Sequence, residues 1–199
     1  MNFSEYKTEY LHTWQERLFF YSWFLFFIIL FIAAGISVFY YLNPWYLAPL
    51  SFKFYFLFEV SLSLFLQFVV IILNTVIVKS KKVSDSLKNR FSIYTIFWQF
   101  SIISIFYNRY DGVMVLPSLV LILATSIANR HLLKSLFKAC VFVELLSFFV
   151  HWKFNRTEAL PEQIIIFILV IFALIFIYGV SKVMMKDINT QFKVMSRNN

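Results

Sequence analysis

Residues 18–42 read LFFYSWFLFFIILFIAAGISVFYYL, twenty-five consecutive positions without a charged side chain. At about 1.5 Å per residue, a helix of this length measures about 38 Å, which exceeds the roughly 30 Å of a bilayer's hydrocarbon core. Five further apolar runs follow in the chain, at residues 54–78, 91–108, 112–129, 132–152 and 162–181. The sequence therefore predicts six transmembrane segments.

The composition supports a membrane protein. The 199 residues are 61% hydrophobic and 22% aromatic, with a mean hydropathy of +0.76, well above the apolar fraction of a soluble domain. Backbone groups in hydrocarbon must be paired within helices or a closed barrel, and these runs lack the two-residue alternation of barrel strands. We expect one all-α membrane domain over residues 1–199.

Two of the predicted segments contain features that disturb a simple span. Lys134, Lys138 and Glu144 interrupt the fifth run, which makes it the weakest of the six. Pro117 lies near the start of the fourth run and predicts either a kink or the first turn of that helix.

The distribution of lysine and arginine predicts the topology, because basic connectors remain on the cytoplasmic side. With six spans, fourteen of the 18 basic residues fall on one side of the membrane and four on the other. The basic side would hold both termini, the connector at residues 79–90 and the start of the fifth run. The formal charge of +8 is thus explained by topology, and we expect no nucleic acid as a partner, since there is no soluble basic element.

Both ends of the chain carry an amphipathic pattern. Within residues 1–17 and into the first span, an apolar stripe recurs at helical spacing, at Phe3, Tyr6, Tyr10, Leu11, Trp14 and Leu18. This pattern predicts an N-terminal helix lying in the membrane interface. Residues 182–199 continue the last helix as a short cytoplasmic tail with a stripe at Met184, Ile188, Phe192 and Met195. We expect this tail to dock a partner or to pack against the N-terminal helix.

Ionisable residues inside spans are the best functional candidates, because charge in hydrocarbon is costly. Two polar stripes contain them. One is on the second helix, at Glu59, Ser63, Gln67 and Asn74, and the other is on the fifth, at Cys140, Glu144, Ser147 and His151.

Glu59 and Glu144 each lie about 10 Å inside the outer boundary if helical rise is counted from Lys53 and His151. If the two stripes face each other, burial and mutual repulsion would suit the pair to binding a proton or cation. The alternative is that hydrogen bonds to neighbours such as Gln67, Gln99 or Ser147 satisfy each carboxyl, so that both serve helix packing.

The sequence contains no motif for a cofactor, a metal or a catalytic centre. His12 and His131 belong to the side opposite His151, so the three imidazoles cannot ligate one ion. Cys140 and His151 are separated by about three helical turns, too far for a nucleophile and its base. We expect neither a cofactor nor a metal, and the motif search favours a protein that is not an enzyme.

Three functions stay open. The two amphipathic ends favour a non-catalytic subunit, or a sensing or anchoring module, of a larger membrane complex with other membrane or cytoplasmic proteins as partners. The two intramembrane carboxyls suggest a small permease coupled to protons or cations. An intramembrane enzyme with its groups scattered over several helices is the third.

Overall fold

The computed structural model of the chain describes residues 3–47, 51–107, 111–127, 129–154 and 160–197. The side chains of residues 3–7, 111, 151, 153, 154, 160 and 197 also lie outside the description. The regular elements within the described ranges are helical. Six of them form the bundle: α1 (Phe3–Leu42), α2 (Phe52–Lys79), α3 (Asp85–Phe106), α4 (Leu116–Thr125), α5 (Arg130–Phe154) and α6 (Leu160–Arg197).

Short 3₁₀-helices, Pro44–Leu47 and Asp111–Val115, precede α2 and α4. Pro117 lies in the first turn of α4, where its missing N–H group has no helical acceptor to lose. Of the two sequence predictions for this proline, the first turn is therefore the one observed.

The first and last helices are longer than their predicted spans. α1 continues unbroken over 40 residues and α6 over 38 residues, so each is roughly 60 Å long. The predicted separate interfacial helix over residues 1–17 is not confirmed, because the described part of this segment, from Phe3, extends the first span as one helix. No helix-breaking residue separates the two parts, since the chain reaches Pro44 before its first proline.

In the part of the chain that the structure describes, three helices are long and apolar enough to cross a membrane, namely Thr8–Leu42, Phe52–Lys79 and Pro161–Ser196. These correspond to the first, second and sixth predicted spans, while the prediction of six crossings is not confirmed. α3 and α5 have 22 and 25 residues but contain several polar side chains. α4 has only 10 residues, about 15 Å of helix.

The surface of the three long helices is strongly apolar. Phe31 is 82% exposed, Phe176 72% and Phe65 62%, and many other large apolar side chains on α1, α2 and α6 are also open. Such an extensive apolar surface is suited to lipid rather than to water. α3 shows the reverse pattern, because ten of its residues are buried and six of those are polar.

α3 is the centre of the bundle and is bonded to three neighbours. The Gln99 side-chain amide donates to the Ser22 carbonyl oxygen of α1 at 3.0 Å. The Ser92 hydroxyl donates to the Asn74 side-chain oxygen of α2 at 3.1 Å. The Tyr94 hydroxyl donates to the Ser135 hydroxyl of α5 at 3.0 Å. Polar side chains therefore position the central helix, as is common where apolar attraction between helices is weak.

The basic segments of the chain meet at one end of this bundle. Tyr10 of α1 donates to the Ser126 carbonyl oxygen after α4 at 3.0 Å, and its ring contacts Phe192 of α6 with a centroid distance of 5.4 Å. The Asn89 amide of α3 donates to the Leu11 carbonyl oxygen at 2.8 Å. The two amphipathic ends of the chain thus pack against each other and against the bundle.

Candidate functional site

The polar stripe predicted on α2 is buried along most of its length. Ser63, Gln67 and Asn74 are each at most 1% exposed, and the four-residue spacing from Ser63 to Ile71 keeps this face toward α3. Glu59 is only partly buried. Residues Tyr55–Leu62 form a π-helix, which has more residues per turn than an α-helix. In this segment the residues that face the interior are therefore Tyr55 and Val60 rather than Glu59. π-Helical turns are rare and are frequent at functional sites.

Two tyrosine hydroxyl groups interact electrostatically with Glu59. The Tyr107 hydroxyl at the end of α3 interacts electrostatically with Ser63 and Glu59. Tyr55 interacts with Glu59 and with Tyr107, and its ring packs edge-on against Tyr40 of α1 at 5.0 Å. We call Tyr40, Tyr55, Glu59, Ser63 and Tyr107 the outer cluster, because it lies away from the basic end of the bundle.

The carboxyl of Glu144 is enclosed within the bundle. Glu144 is 1% exposed, and neither of its oxygens has a hydrogen-bond partner among the described residues. Its neighbour one turn earlier is Cys140, whose thiol interacts electrostatically with the carboxyl and donates to the Pro117 carbonyl oxygen at 3.4 Å. A buried carboxyl without a hydrogen-bond partner is energetically unfavourable.

Ser147 extends the polar face of α5 and contacts the central helix. Its hydroxyl donates to the Ser104 carbonyl oxygen at 2.8 Å and accepts from the Ser104 hydroxyl at 3.1 Å. Both residues are fully buried. This pair places α3 and α5 in parallel, in agreement with the Tyr94–Ser135 bond nearer the basic end.

The interhelical hydrogen bonds give the two carboxyls different levels along the bundle axis. Ser147 is level with Ser104, so Glu144 lies one turn toward the basic end. The Asn74–Ser92 bond sets the antiparallel register of α2 and α3, and it places Glu59 level with Tyr107. Glu144 and Glu59 are thus about 9 Å apart along the bundle axis. They lie on different neighbours of α3, and a direct pairing of the two carboxyls stays a prediction from the sequence.

Three hydroxyl side chains lie at levels between the two acids, and two of them, Ser104 and Ser147, are hydrogen-bonded to each other. Ser147 lies one turn from Glu144 on α5, and its hydroxyl is bonded to that of Ser104 on α3. Tyr107 follows Ser104 by one turn, and its hydroxyl interacts electrostatically with Glu59. We call Ser147, Ser104 and Tyr107 the hydroxyl series. Sequence analysis missed Ser104 and the tyrosines, because they lie in apolar runs where an aromatic or small side chain is expected to pack.

Two buried amides lie nearer the basic end. Gln67 is fully buried, and neither its nitrogen nor its oxygen has a partner among the described residues. Gln99 is also fully buried, and its oxygen is similarly unpartnered although its nitrogen is bonded to Ser22. The interior polarity therefore continues past Glu144 toward the other end of α3.

The side chain of His151, the last member of the predicted α5 stripe, lies outside the described residues. Among the side chains that are described, no three of His, Cys, Asp and Glu come together as a metal site. No protein-family model matches the chain, and neither a curated protein nor a solved structure shows significant similarity to it. The interpretation of the site rests on its own geometry.

Proposed function

We propose that this chain is a small permease that moves protons or a small cation across a membrane, with Glu144 as its central binding group. The observation that carries the proposal is the enclosed Glu144 carboxyl, 1% exposed and without a hydrogen-bond partner in the described part of the chain. Ionisable groups at such positions in membrane proteins usually mark a path for ions or protons.

The proposal includes six crossings with both termini on the cytoplasmic side. α3 and α5 would cross inside a layer formed by α1, α2 and α6, so that their polar residues are shielded from lipid. α4 and the 3₁₀-helix Asp111–Val115 before it, about 25 Å long together, would return the chain between them. α3 and α5 run in the same direction, so the chain must return to the basic end between them. α4 lies in this connection, which supports the proposed crossings. The basic segments gathered at one end of the bundle support the same sidedness.

The hydroxyl series supplies a route from Glu144 to the opposite end. Hydroxyl groups both donate and accept hydrogen bonds, so Ser147, Ser104 and Tyr107 would pass a proton between the two carboxyls once side-chain rotation or entering water closes the gaps on either side of the Ser104–Ser147 bond. Glu59 would then exchange that proton with the outer side through the partly open surface of the π-helix. Gln67 and Gln99 offer polar lining toward the cytoplasmic end.

Reconstitution into lipid vesicles tests this proposal. Vesicles that contain an internal pH-sensitive dye receive a proton gradient, and the rate of internal pH change is measured for the wild type, Glu144→Gln and Glu162→Gln. Glu162 is an exposed carboxyl in the first turn of α6, which makes it a matched control. Replacing K⁺ with Na⁺ separates proton movement from cation movement.

We expect the wild type and Glu162→Gln to dissipate the gradient at similar rates and Glu144→Gln to slow it by at least about tenfold, an effect of the size that removal of a key proton-transfer group produces. A Glu144→Gln protein that matches the wild type would contradict the proposal. A wild type no faster than protein-free vesicles, for protons and for both cations, would also contradict it.

A second candidate function is a sensing or anchoring module of a larger membrane complex. α1 and α6 are each roughly 60 Å long and extend well beyond a hydrocarbon core. Near the end of α6, Val194 is 51% exposed and Met195 42%, which offers an apolar surface to a partner. However, the Tyr10–Phe192 contact already covers part of these amphipathic faces, so the need for a partner is smaller than the sequence alone indicates. Purification in mild detergent with stoichiometric companions would favour this second function.

A further inference from the structure

A groove with four cationic side chains lies between the start of α5 and the cytoplasmic part of α6. Its volume is about 320 Å³. Two basic residues come from each helix at a spacing of four, so each pair lies on one helical face. The residues lining the groove are Arg130, Leu133, Lys134, Tyr178, Lys182, Met185 and Lys186.

Within the described part of the chain, no ion pair involves the four cationic side chains of this groove. None of the residues that line it is acidic, and the ion pairs of the described residues, His12–Glu16 and Lys88–Asp85, lie elsewhere. Four like charges around one groove repel one another. An anion bound among them would remove this repulsion and supply acceptors to several N–H donors at once.

The floor of the groove is apolar and rigid. Leu133 and Met185 are at most 3% exposed, and the Tyr178 ring stacks on Phe137 with a centroid distance of 4.2 Å. The groove is thus a built concave surface with a charged rim, since Arg and Lys side chains rest their apolar stems on such floors.

An exposed apolar stripe continues from the groove along α6. From Lys182 toward the start of the helix, the same face carries Ile175, Phe172, Ile168 and Ile165, which are 47% to 67% exposed. Gly179 lies between Lys182 and Ile175, and a Cβ atom there would meet nothing within 4 Å. The stripe provides a surface for acyl chains directly below the four cations.

We propose that this groove binds the phosphate headgroup of an anionic phospholipid, with the acyl chains along the α6 stripe. The basic rim and the apolar stripe together favour a lipid over a soluble phosphate, because a soluble anion has no apolar part that could contact the stripe. Basic pockets of this kind between membrane helices on the cytoplasmic side bind anionic headgroups in other membrane proteins. The site is separate from Glu144 and does not depend on the transport proposal.

Lipid titration of the purified protein in detergent tests the assignment. Native mass spectrometry measures retention of phosphatidylglycerol and phosphatidylcholine by the wild type, by Lys182→Gln/Lys186→Gln and by Lys81→Gln/Lys82→Gln. The last variant removes the same charge from the exposed connector between α2 and α3. A Lys182→Arg/Lys186→Arg variant preserves the charge and reports on folding.

We expect the wild type to retain phosphatidylglycerol in preference to phosphatidylcholine, and Lys182→Gln/Lys186→Gln to bind it about 30-fold more weakly, given what each basic residue near an anionic surface contributes. The connector variant and the arginine variant should bind as the wild type does. Equal retention of the two lipids would overturn the proposal, as would equal losses in the groove and connector variants. Displacement of the lipid by millimolar inorganic phosphate would assign the groove to a soluble anion and overturn the lipid assignment.

Discussion

Ser147 of α5 donates a hydrogen bond of 2.8 Å to the backbone carbonyl oxygen of Ser104 on α3. The two hydroxyls are also bonded to each other at 3.1 Å, and both residues are fully buried. This pair joins the central helix to the helix that carries Glu144, one turn from the carboxyl. It therefore has a structural role and a position in the hydroxyl series, and the two can be tested separately.

Ser147→Ala removes the donor from this interhelical contact. We expect the free energy of unfolding to fall by about 1 kcal/mol, as for other hydrogen bonds between membrane helices. Unfolding in a detergent series monitored by tryptophan fluorescence measures the change. Ser196→Ala, at an exposed position of α6, is the control and should match the wild type. A Ser147→Ala protein as stable as this control would show that the contact contributes nothing.

Glu144→Met replaces the enclosed carboxyl with an apolar side chain of similar size. Because neither carboxyl oxygen is bonded in the described part of the chain, we expect the variant to be more stable by about 1 kcal/mol or more, the cost of burying an unpartnered polar group. Proton flux should nevertheless be lost. A gain in stability with a loss of function is the signature of a group kept for function.

The outcome for Glu144→Met that would refute this interpretation is a loss of stability. A decrease beyond about 1 kcal/mol would mean that the carboxyl makes a stabilising contact. Glu162→Met, at an exposed position, should change the stability little and serves as the matched control.

Tyr10 and Phe192 bring the two ends of the chain together. Their ring centroids are 5.4 Å apart, so Tyr10→Cys with Phe192→Cys should be joined by a short bis-methanethiosulfonate reagent, which replaces the space of the two rings, in a Cys140→Ala background. The shift on a non-reducing gel, reversed by reductant, reports the cross-link. Tyr10→Cys with Val183→Cys is the control, because position 183 is exposed and about 14 Å further along α6. Efficient cross-linking of the control pair and not of the first pair would contradict the packing of the two ends.

Gln67 offers a test of the polar lining next to α3. It is fully buried with neither amide atom bonded among the described residues, whereas the Gln99 nitrogen is bonded to Ser22. We expect Gln67→Leu to raise the free energy of unfolding by about 1 kcal/mol and Gln99→Leu to lower it by a similar amount. Thermal unfolding of both variants in one detergent provides the comparison. Equal destabilisation by both would show that Gln67 is a structural residue.

Much of the fold follows from local sequence patterns. The apolar runs predict helices at positions close to those of α2 to α5, and the four-residue spacing of Ser63, Gln67 and Ile71 marks the buried face of α2. Both signals depend only on helical periodicity. The polar residues of α3 are visible in the sequence. The packing of α3 against three other helices, which buries them, could not be predicted from it.

Other features depend on contacts between distant residues, which periodicity does not report. The π-helix around Glu59 shifts the buried face of α2 by one position, so Tyr55 and Val60 occupy places that a regular helix would assign differently. The outer cluster and the basic groove each combine residues from helices far apart in the chain. The predicted pairing of Glu59 and Glu144 depends on a further quantity of this kind, the register between helices, which rise from a helix end does not give.

Carbodiimide labelling in lipid vesicles tests most directly whether Glu144 takes up a proton inside the membrane. Dicyclohexylcarbodiimide is an apolar reagent that couples to protonated carboxyl groups, and peptide mass spectrometry identifies the modified residue. We predict modification at Glu144 in preference to Glu162, with loss of proton flux in proportion to labelling. An unmodified Glu144, or complete modification that leaves the flux unchanged, would contradict a proton path through this carboxyl.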